Sequence, residues 1–176
     1  LLENYSKWKG VLAEPDPQWH KQLKKNRPNT KIITDCIWKE SGETVDFLSS
    51  QDGVLSTINS FRYNDKKSMP TNAEARNKKF QTIKVNTVSL NDLIKNELNN
   101  VSPSYISVDT EGSEYEILKN FNFLKYNPIF LTIEHNFTSN QKYLDELMIK
   151  NGYVRIFRKI TSFDGWYVKK EVLNKH

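Results

Sequence analysis

The stretch from Tyr105 to Leu118 constrains the chain more than any other, because a short apolar run, an acidic turn and a helix follow one another without a spacer. Ile106 and Val108 take alternating positions on a strand. Asp109-Thr110-Glu111-Gly112 forms the turn, and Ser113 to Asn120 is predicted to be a helix with Tyr115, Ile117 and Leu118 facing inward. The carboxylates of Asp109, Glu111 and Glu114 therefore crowd the C-terminal end of a strand, which is where ligands bind in open α/β sheets. Their mutual repulsion has to be offset by a cation, a hydrogen-bonded ligand hydroxyl or amine, or the N-terminus of the next helix. Taken alone, the stretch reads as helix capping, with Asp109 or Thr110 as the cap and Glu111 and Glu114 complementing the dipole.

Strand-like and helix-like segments alternate along the rest of the chain. Gly10 to Glu14 is too short for a buried helix and reads as a strand, followed at Pro17 by a helix carrying Trp19 and Leu23. Thr30 to Trp38 is predicted to be the next strand and Thr44 to Leu48 another. Ser49 to Gln81 is polar and long, and is expected to be a mobile loop or insertion, a lid over a site. Thr82 to Val88 alternates as a strand, and Ser89 opens a helix with Asp92 at the capping-box position. Pro128 to Glu134 is the most apolar strand and is expected to be central. A helix from Asn140 to Asn151 has Tyr143, Leu144, Leu147 and Met148 as its core face, and Tyr153–Phe157 and Gly165–Val168 close the chain as an antiparallel hairpin. This pattern predicts a single α/β domain over residues 1–176, its sheet mainly parallel with a mixed edge.

Composition narrows the function classes. With 37% hydrophobic and 27% charged residues the chain is an ordinary globular one. The lone cysteine, Cys36, rules out an internal disulfide and, with three scattered histidines, argues against a zinc cluster. A net charge of +5 is spread over separated lysines, so nucleic acid is a minority reading. No run of about 18 apolar residues suggests a membrane span, and a cytoplasmic location is expected.

Several polar residues fall at strand ends. Glu14 closes its strand as an acid able to accept both hydroxyls of a ribose, or equally caps the helix at Pro17. Asp35, Cys36 and Ile37 lie at the end of the next strand, near where an adenine would sit. Cys36 has no neighbouring His or Cys and reads as a small buried hydrophobe. Glu134, His135 and Asn136 follow the central strand.

Four segments taken in order, Val11–Pro17, Val85–Leu93, Tyr105–Leu118 and Ile129–His135, resemble those of the FkbM-type methyltransferases. The resemblance covers nearly the whole chain apart from the Ser49–Gln81 loop. It implies a Rossmann-like class I methyltransferase that uses S-adenosylmethionine, usually on a hydroxyl oxygen of a sugar or natural product, so that the partner is a small-molecule or glycan acceptor. The implied sheet order is 3-2-1-4-5-7-6, with strand 7 antiparallel. Carried over, Glu14 holds the cofactor ribose, Asp35, Cys36 and Ile37 border the adenine, and Asp109 to Glu111 face the methyl group and substrate.

The family's strand 1 and glycine-rich loop, of Asp-x-Gly-Ala-Asn-x-Gly type, are absent from this sequence. The expectation is therefore a portion of a longer protein, unstable and inactive alone, because two central sheet edges are left unpaired. For the chemistry, His135 is the first choice of general base, with Asp109 or Glu111 orienting the acceptor or the cofactor's amino group. A metal-free mechanism is preferred. The alternative is a divalent cation on Asp109, Glu134 and Asn136, as in the metal-dependent catechol-type methyltransferases. Rival readings are a non-catalytic module that keeps the fold for binding, and an NAD-dependent enzyme using Glu14 for the ribose.

Overall fold

The structure, a computed structural model, describes residues 8–50, 55–63 and 80–173. Its elements run in the order β1 (Val11–Ala13), α1 (Pro17–Asn26), β2 (Lys31–Ile33), β3 (Cys36–Trp38), β4 (Thr44–Ser50), β5 (Thr57–Ile58) and a 3-10 turn (Asn59–Phe61). Then follow β6 (Phe80–Ser89), α2 (Leu90–Glu97), β7 (Tyr105–Val108), α3 (Glu114–Leu118), β8 (Phe130–Glu134), α4 (Asn140–Lys150), β9 (Tyr153–Ile156), β10 (Asp164–Lys169) and α5 (Lys170–Leu173).

Local chemistry sets the helix ends. Asp16 caps α1 by accepting from the Gln18 N–H, and Pro17 occupies the first turn, where its missing N–H costs nothing. Ser89 caps α2 by accepting from the Asp92 N–H at 3.1 Å. After α4 the chain reverses at Gly152, whose φ of +84° is the left-handed conformation that favours glycine at a helix C-terminus.

Among the described residues the strands form three sheets, and the fold is mixed α/β with both parallel and antiparallel pairings. The main sheet has the order β7-β8-β10-β9, in which β7 and β8 run parallel and β10 is antiparallel to β8 and β9. β8 is central, as its apolar character predicts, and Leu131 and Ile133 on it are fully buried. They pack with Ile94, Ile117, Leu118, Leu144 and Met148, each such side chain contributing roughly 1.5–3 kcal/mol when buried. Tyr153 and Tyr167 enter the same core, and their hydroxyls donate to Pro128 O at 2.6 Å and Asp145 Oδ1 at 2.8 Å, so neither is left unpaired.

The second sheet is the parallel pair β1-β2, and the third has the order β3-β6-β4-β5. Cys36, Phe47, Ile58 and Val85 form a smaller core beneath the third sheet.

Several expectations need correction. Thr30 to Trp38 is not one strand: Thr34 and Asp35 leave the ladder, so β2 pairs with β1 while β3 pairs with β6. Nor is the sheet mainly parallel. The β4–β6 ladder runs antiparallel from Thr44 opposite Asn86 to Ser50 opposite Phe80, adding a meander to the alternating pattern. Part of the expected Ser49–Gln81 loop is regular structure, since Ser49 and Ser50 complete β4, Thr57 and Ile58 form β5, and Phe80 and Gln81 begin β6. Residues 51–54 and 64–79 of that loop lie outside the described residues, as do residues 1–7, where the sequence from Leu1 to Trp8 reads as the end of a helix. Helix α3 is shorter than expected, and Tyr143 on α4 is half exposed and outside the core.

Gly165 packs where no side chain fits. A Cβ there would lie 2.5–2.8 Å from the ring of Tyr167, which is itself buried and anchored to Asp145. Gly165→Ala is expected to cost about 1–3 kcal/mol, read as a lower urea midpoint with an unchanged m-value. An unchanged midpoint would refute this packing.

Candidate active site

The site is built from strand ends. Beyond β1 the chain turns at Glu14-Pro15-Asp16, where Glu14 Oε1 accepts the Asp16 N–H at 2.8 Å and the Glu14 carbonyl contacts His20 Nε2 at 2.7 Å. Burial pushes the Glu14 carboxyl above its ordinary value, against the lowering effect of the Asp16 N–H. Glu14 is therefore not the helix cap; Asp16 is. Asp16 is fully buried and accepts from Gln18 Nε2 at 2.8 Å and Ser56 Oγ at 3.0 Å. Sequence reasoning passed over it, although its place directly before a proline at a helix start was a usable signal.

Beyond β7, Asp109 to Gly112 makes the acidic turn, with Glu111 in the left-handed region at φ +57°. Glu114 folds back over this turn. Its Oε1 accepts from the Thr110 N–H at 2.9 Å, the Thr110 hydroxyl at 2.9 Å and the Gly112 N–H at 3.0 Å. The carboxyl is buried, which raises its pKa, while these hydrogen bonds lower it. The cap of α3 is Ser113, without a side-chain bond to the helix, so neither Asp109 nor Thr110 caps it and Glu114 acts as a staple for the turn.

Beyond β8 comes Glu134. One carboxylate oxygen from each of Asp109, Glu111 and Glu134 lies within 4.8 Å of the other two. Two like charges at such a distance repel by roughly 3 kcal/mol at an effective dielectric constant near 20. Glu134 Oε2 is shut off from solvent and meets no hydrogen-bond donor. Burial first, then the charges of Glu111, Asp109 and Glu114, raise the Glu134 pKa strongly, and a protonated carboxyl here shares a hydrogen bond with Asp109.

His135 has a different setting. Its ring is buried, Nδ1 accepts the Phe137 N–H at 3.1 Å, and Nε2 lies 2.7 Å from Arg155 Nη2. Both ring nitrogens thus face donors. Burial, then the Arg155 charge, lowers the pKa to about 4, so the ring is neutral near pH 7. Arg155 is held in turn by Asp145, at 3.4 Å. Sequence reasoning missed Arg155; alternation along β9 puts it on the same buried face as Tyr153.

Two cavities collect these groups. A cleft of about 260 Å³ is walled by Glu14 and Pro15, by Cys36 and Ile37 of β3, by Phe47 and Ile58 of the third sheet, and by Asp109 to Glu111. A water-sized cavity of about 10 Å³ lies between Glu111, Glu114, Glu134, His135 and Asn136. Glu111 borders both. Of the residues singled out in the sequence, Glu14, Cys36, Ile37, Asp109 and Glu111 meet at the cleft, while Glu134, His135 and Asn136 sit behind Glu111. Asp35 does not line the cleft. Burial pushes the Cys36 thiol up to about 12, which leaves it protonated and unreactive.

A family model described as the methyltransferase FkbM domain matches residues 1–155. The chain belongs to this family. Membership makes it a methyltransferase domain and places Glu14, the acidic turn, Glu134 and His135 inside the matched region. No curated protein and no solved structure matches the chain. Among the described residues, no helix is long and apolar enough to cross a membrane.

The His135 environment of this FkbM domain has a measurable consequence. The ring stays neutral in the fold down to about pH 4, whereas in the unfolded chain it takes up a proton near 6.5. Between those values the unfolded state binds more protons, so stability falls as pH falls, by up to about 1.4 kcal/mol per unit. His135→Gln is expected to flatten that part of the urea-derived stability curve. Parallel curves for the two proteins would refute the assignment.

Proposed function

We propose that this FkbM domain transfers a methyl group from S-adenosylmethionine to a hydroxyl oxygen of a sugar or natural product. The observation that carries the reading is a cleft with both Glu14 and Asp109 to Glu111 in its lining. Its volume is near the lower end of small-molecule sites, about 300 Å³. The pairing of β2 with β1 and the order β7-β8-β10-β9 fit the 3-2 and 4-5-7-6 portions of a Rossmann-like class I sheet. The one cysteine, buried and unpaired, fits a reducing, cytoplasmic setting.

In this reading Glu14 accepts the ribose hydroxyls, and Cys36 and Ile37 flank the adenine. S-adenosylmethionine, when bound, supplies a methyl group on a positively charged sulfur. An acceptor oxygen would displace that sulfur in line, the O–CH₃ bond forming as the S–CH₃ bond breaks, so the part of the chain's own residues is to align the two and take up the hydroxyl proton. Asp109 and Glu111 orient the acceptor. We assign the proton to a carboxylate that lines the cleft, Asp109 or Glu111, because the burial and crowding that raise the Glu134 pKa leave that carboxyl already protonated. His135 remains the sequence-based choice of base, but its nitrogens face Arg155 and the Phe137 N–H, which suits a neutral positioning role.

A second reading has a specific observation behind it. Convergence of Asp109, Glu111 and Glu134, beside a water-sized cavity that Asn136 borders, offers the all-oxygen donor set that magnesium prefers. A cation held there would lower the acceptor hydroxyl's pKa and replace the base. The metal set expected from sequence thus gains Glu111.

Titration calorimetry of S-adenosylhomocysteine into the full chain tests the cofactor reading. Binding is expected, weakened about tenfold or more by Glu14→Gln, since a hydrogen bond to a charged group contributes ~1.5–3 kcal/mol. Absence of binding would overturn it. Manganese titration followed by electron spin resonance tests the second reading: one bound ion, lost in Glu134→Gln, supports it, and no bound ion removes it.

A further inference from the structure

The β4–β5 hairpin touches both sides of the cleft through two consecutive side chains. Ser56 Oγ donates to Asp16 Oδ2 at 3.0 Å and accepts the Ser50 N–H at 3.0 Å, while Gln18 Nε2 donates to the Ser50 carbonyl at 2.5 Å. The hairpin is thereby fixed to the turn that carries Glu14. Its next residue, Thr57, is fully buried, and its Oγ1 lies 3.1 Å from the Glu111 carbonyl and 3.3 Å from the Thr110 carbonyl. Glu114 binds N–H groups of that same turn. Glu111 is left-handed, a conformation that a residue with a side chain holds only when its surroundings fix it.

We propose that Ser56 and Thr57 are positioning residues that set the two ends of the cofactor cleft against each other. Ser56 acts through Asp16 on Glu14, and Thr57 acts through the Thr110 and Glu111 carbonyls on the acidic end. The inference rests on the S-adenosylmethionine reading. It gives separate roles to the two side chains: Ser56 serves the nucleoside end, and Thr57 serves the end that meets the charged amino-acid part of the cofactor.

The test compares S-adenosylhomocysteine, which spans both ends, with adenosine, which occupies only the first. Calorimetry on the full chain is run with wild type, Thr57→Val, Thr57→Ser and Ser56→Ala, and thermal melting follows folding. Thr57→Val is expected to weaken S-adenosylhomocysteine about tenfold and leave adenosine unchanged. Thr57→Ser restores the hydroxyl and with it the affinity. Ser56→Ala weakens both ligands alike. Equal losses of both ligands in Thr57→Val, or wild-type affinities in that variant, would overturn the inference while the cofactor reading stands. Should Thr57→Val fail to fold, Ser56→Ala decides: unchanged binding of both ligands overturns the proposal. Failure of wild type to bind either ligand overturns the cofactor reading and this inference together.

Discussion

The buried Glu114 carboxylate is the contact on which the functional end of the molecule depends. One oxygen takes hydrogen bonds from the Thr110 N–H, the Thr110 hydroxyl and the Gly112 N–H. Such bonds to a charged acceptor contribute ~1.5–3 kcal/mol each and offset part of the cost of burial, which still leaves the carboxyl pKa raised. They also close the turn tightly enough to keep Glu111 left-handed and to aim its carbonyl at Thr57. The wall of the cleft, the meeting of Glu111 with Asp109 and Glu134, and the anchoring of the β4–β5 hairpin all follow from that geometry.

Two polar systems sit side by side behind this turn and are electrostatically opposite. The acidic one gathers Asp109, Glu111 and Glu134, where burial first and then the neighbouring carboxylates raise the Glu134 pKa and favour its protonated form. The other joins Asp145, Arg155, His135 and Tyr167 in the core, where burial first and then the Arg155 charge keep the imidazole neutral. A neutral imidazole adds no positive charge beside the carboxylates of the acidic turn.

Much of the main sheet was legible in the sequence. Alternation in Tyr105–Val108, the apolar run of Phe130–Glu134 and the glycine after α4 each announced their element through a local rule. The turn in the middle of Thr30–Trp38 was not legible, because Ile32, Ile33, Cys36 and Ile37 read as one apolar run. Only pairing with strands far along the chain assigns its halves to different sheets. Likewise Ser56 and Thr57 carry no signal of their own: a polar pair in a polar stretch acquires meaning only when tertiary folding sets it against Asp16 and Glu111. The acidic turn was recognised, but the staple role of Glu114 was not, since a glutamate in the first turn of a helix ordinarily faces solvent and the dipole.

The cleft has an unusual mechanical basis. Among the described residues β1 has β2 as its strand partner and β7 has β8, and no ladder joins β1 to β7. Glu14 and Asp109, at the ends of those two strands, are therefore not held in register by backbone hydrogen bonds. The link runs instead through side chains of the hairpin, Ser56 to Asp16 and Thr57 to the Glu111 and Thr110 carbonyls. Each such bond has a net worth of only about 1 kcal/mol, far less than a shared ladder supplies. The two walls are thus joined by side-chain contacts and not by a shared ladder. A ligand touching both walls adds its binding free energy to that weak link, so stability and occupancy of the cleft rise together.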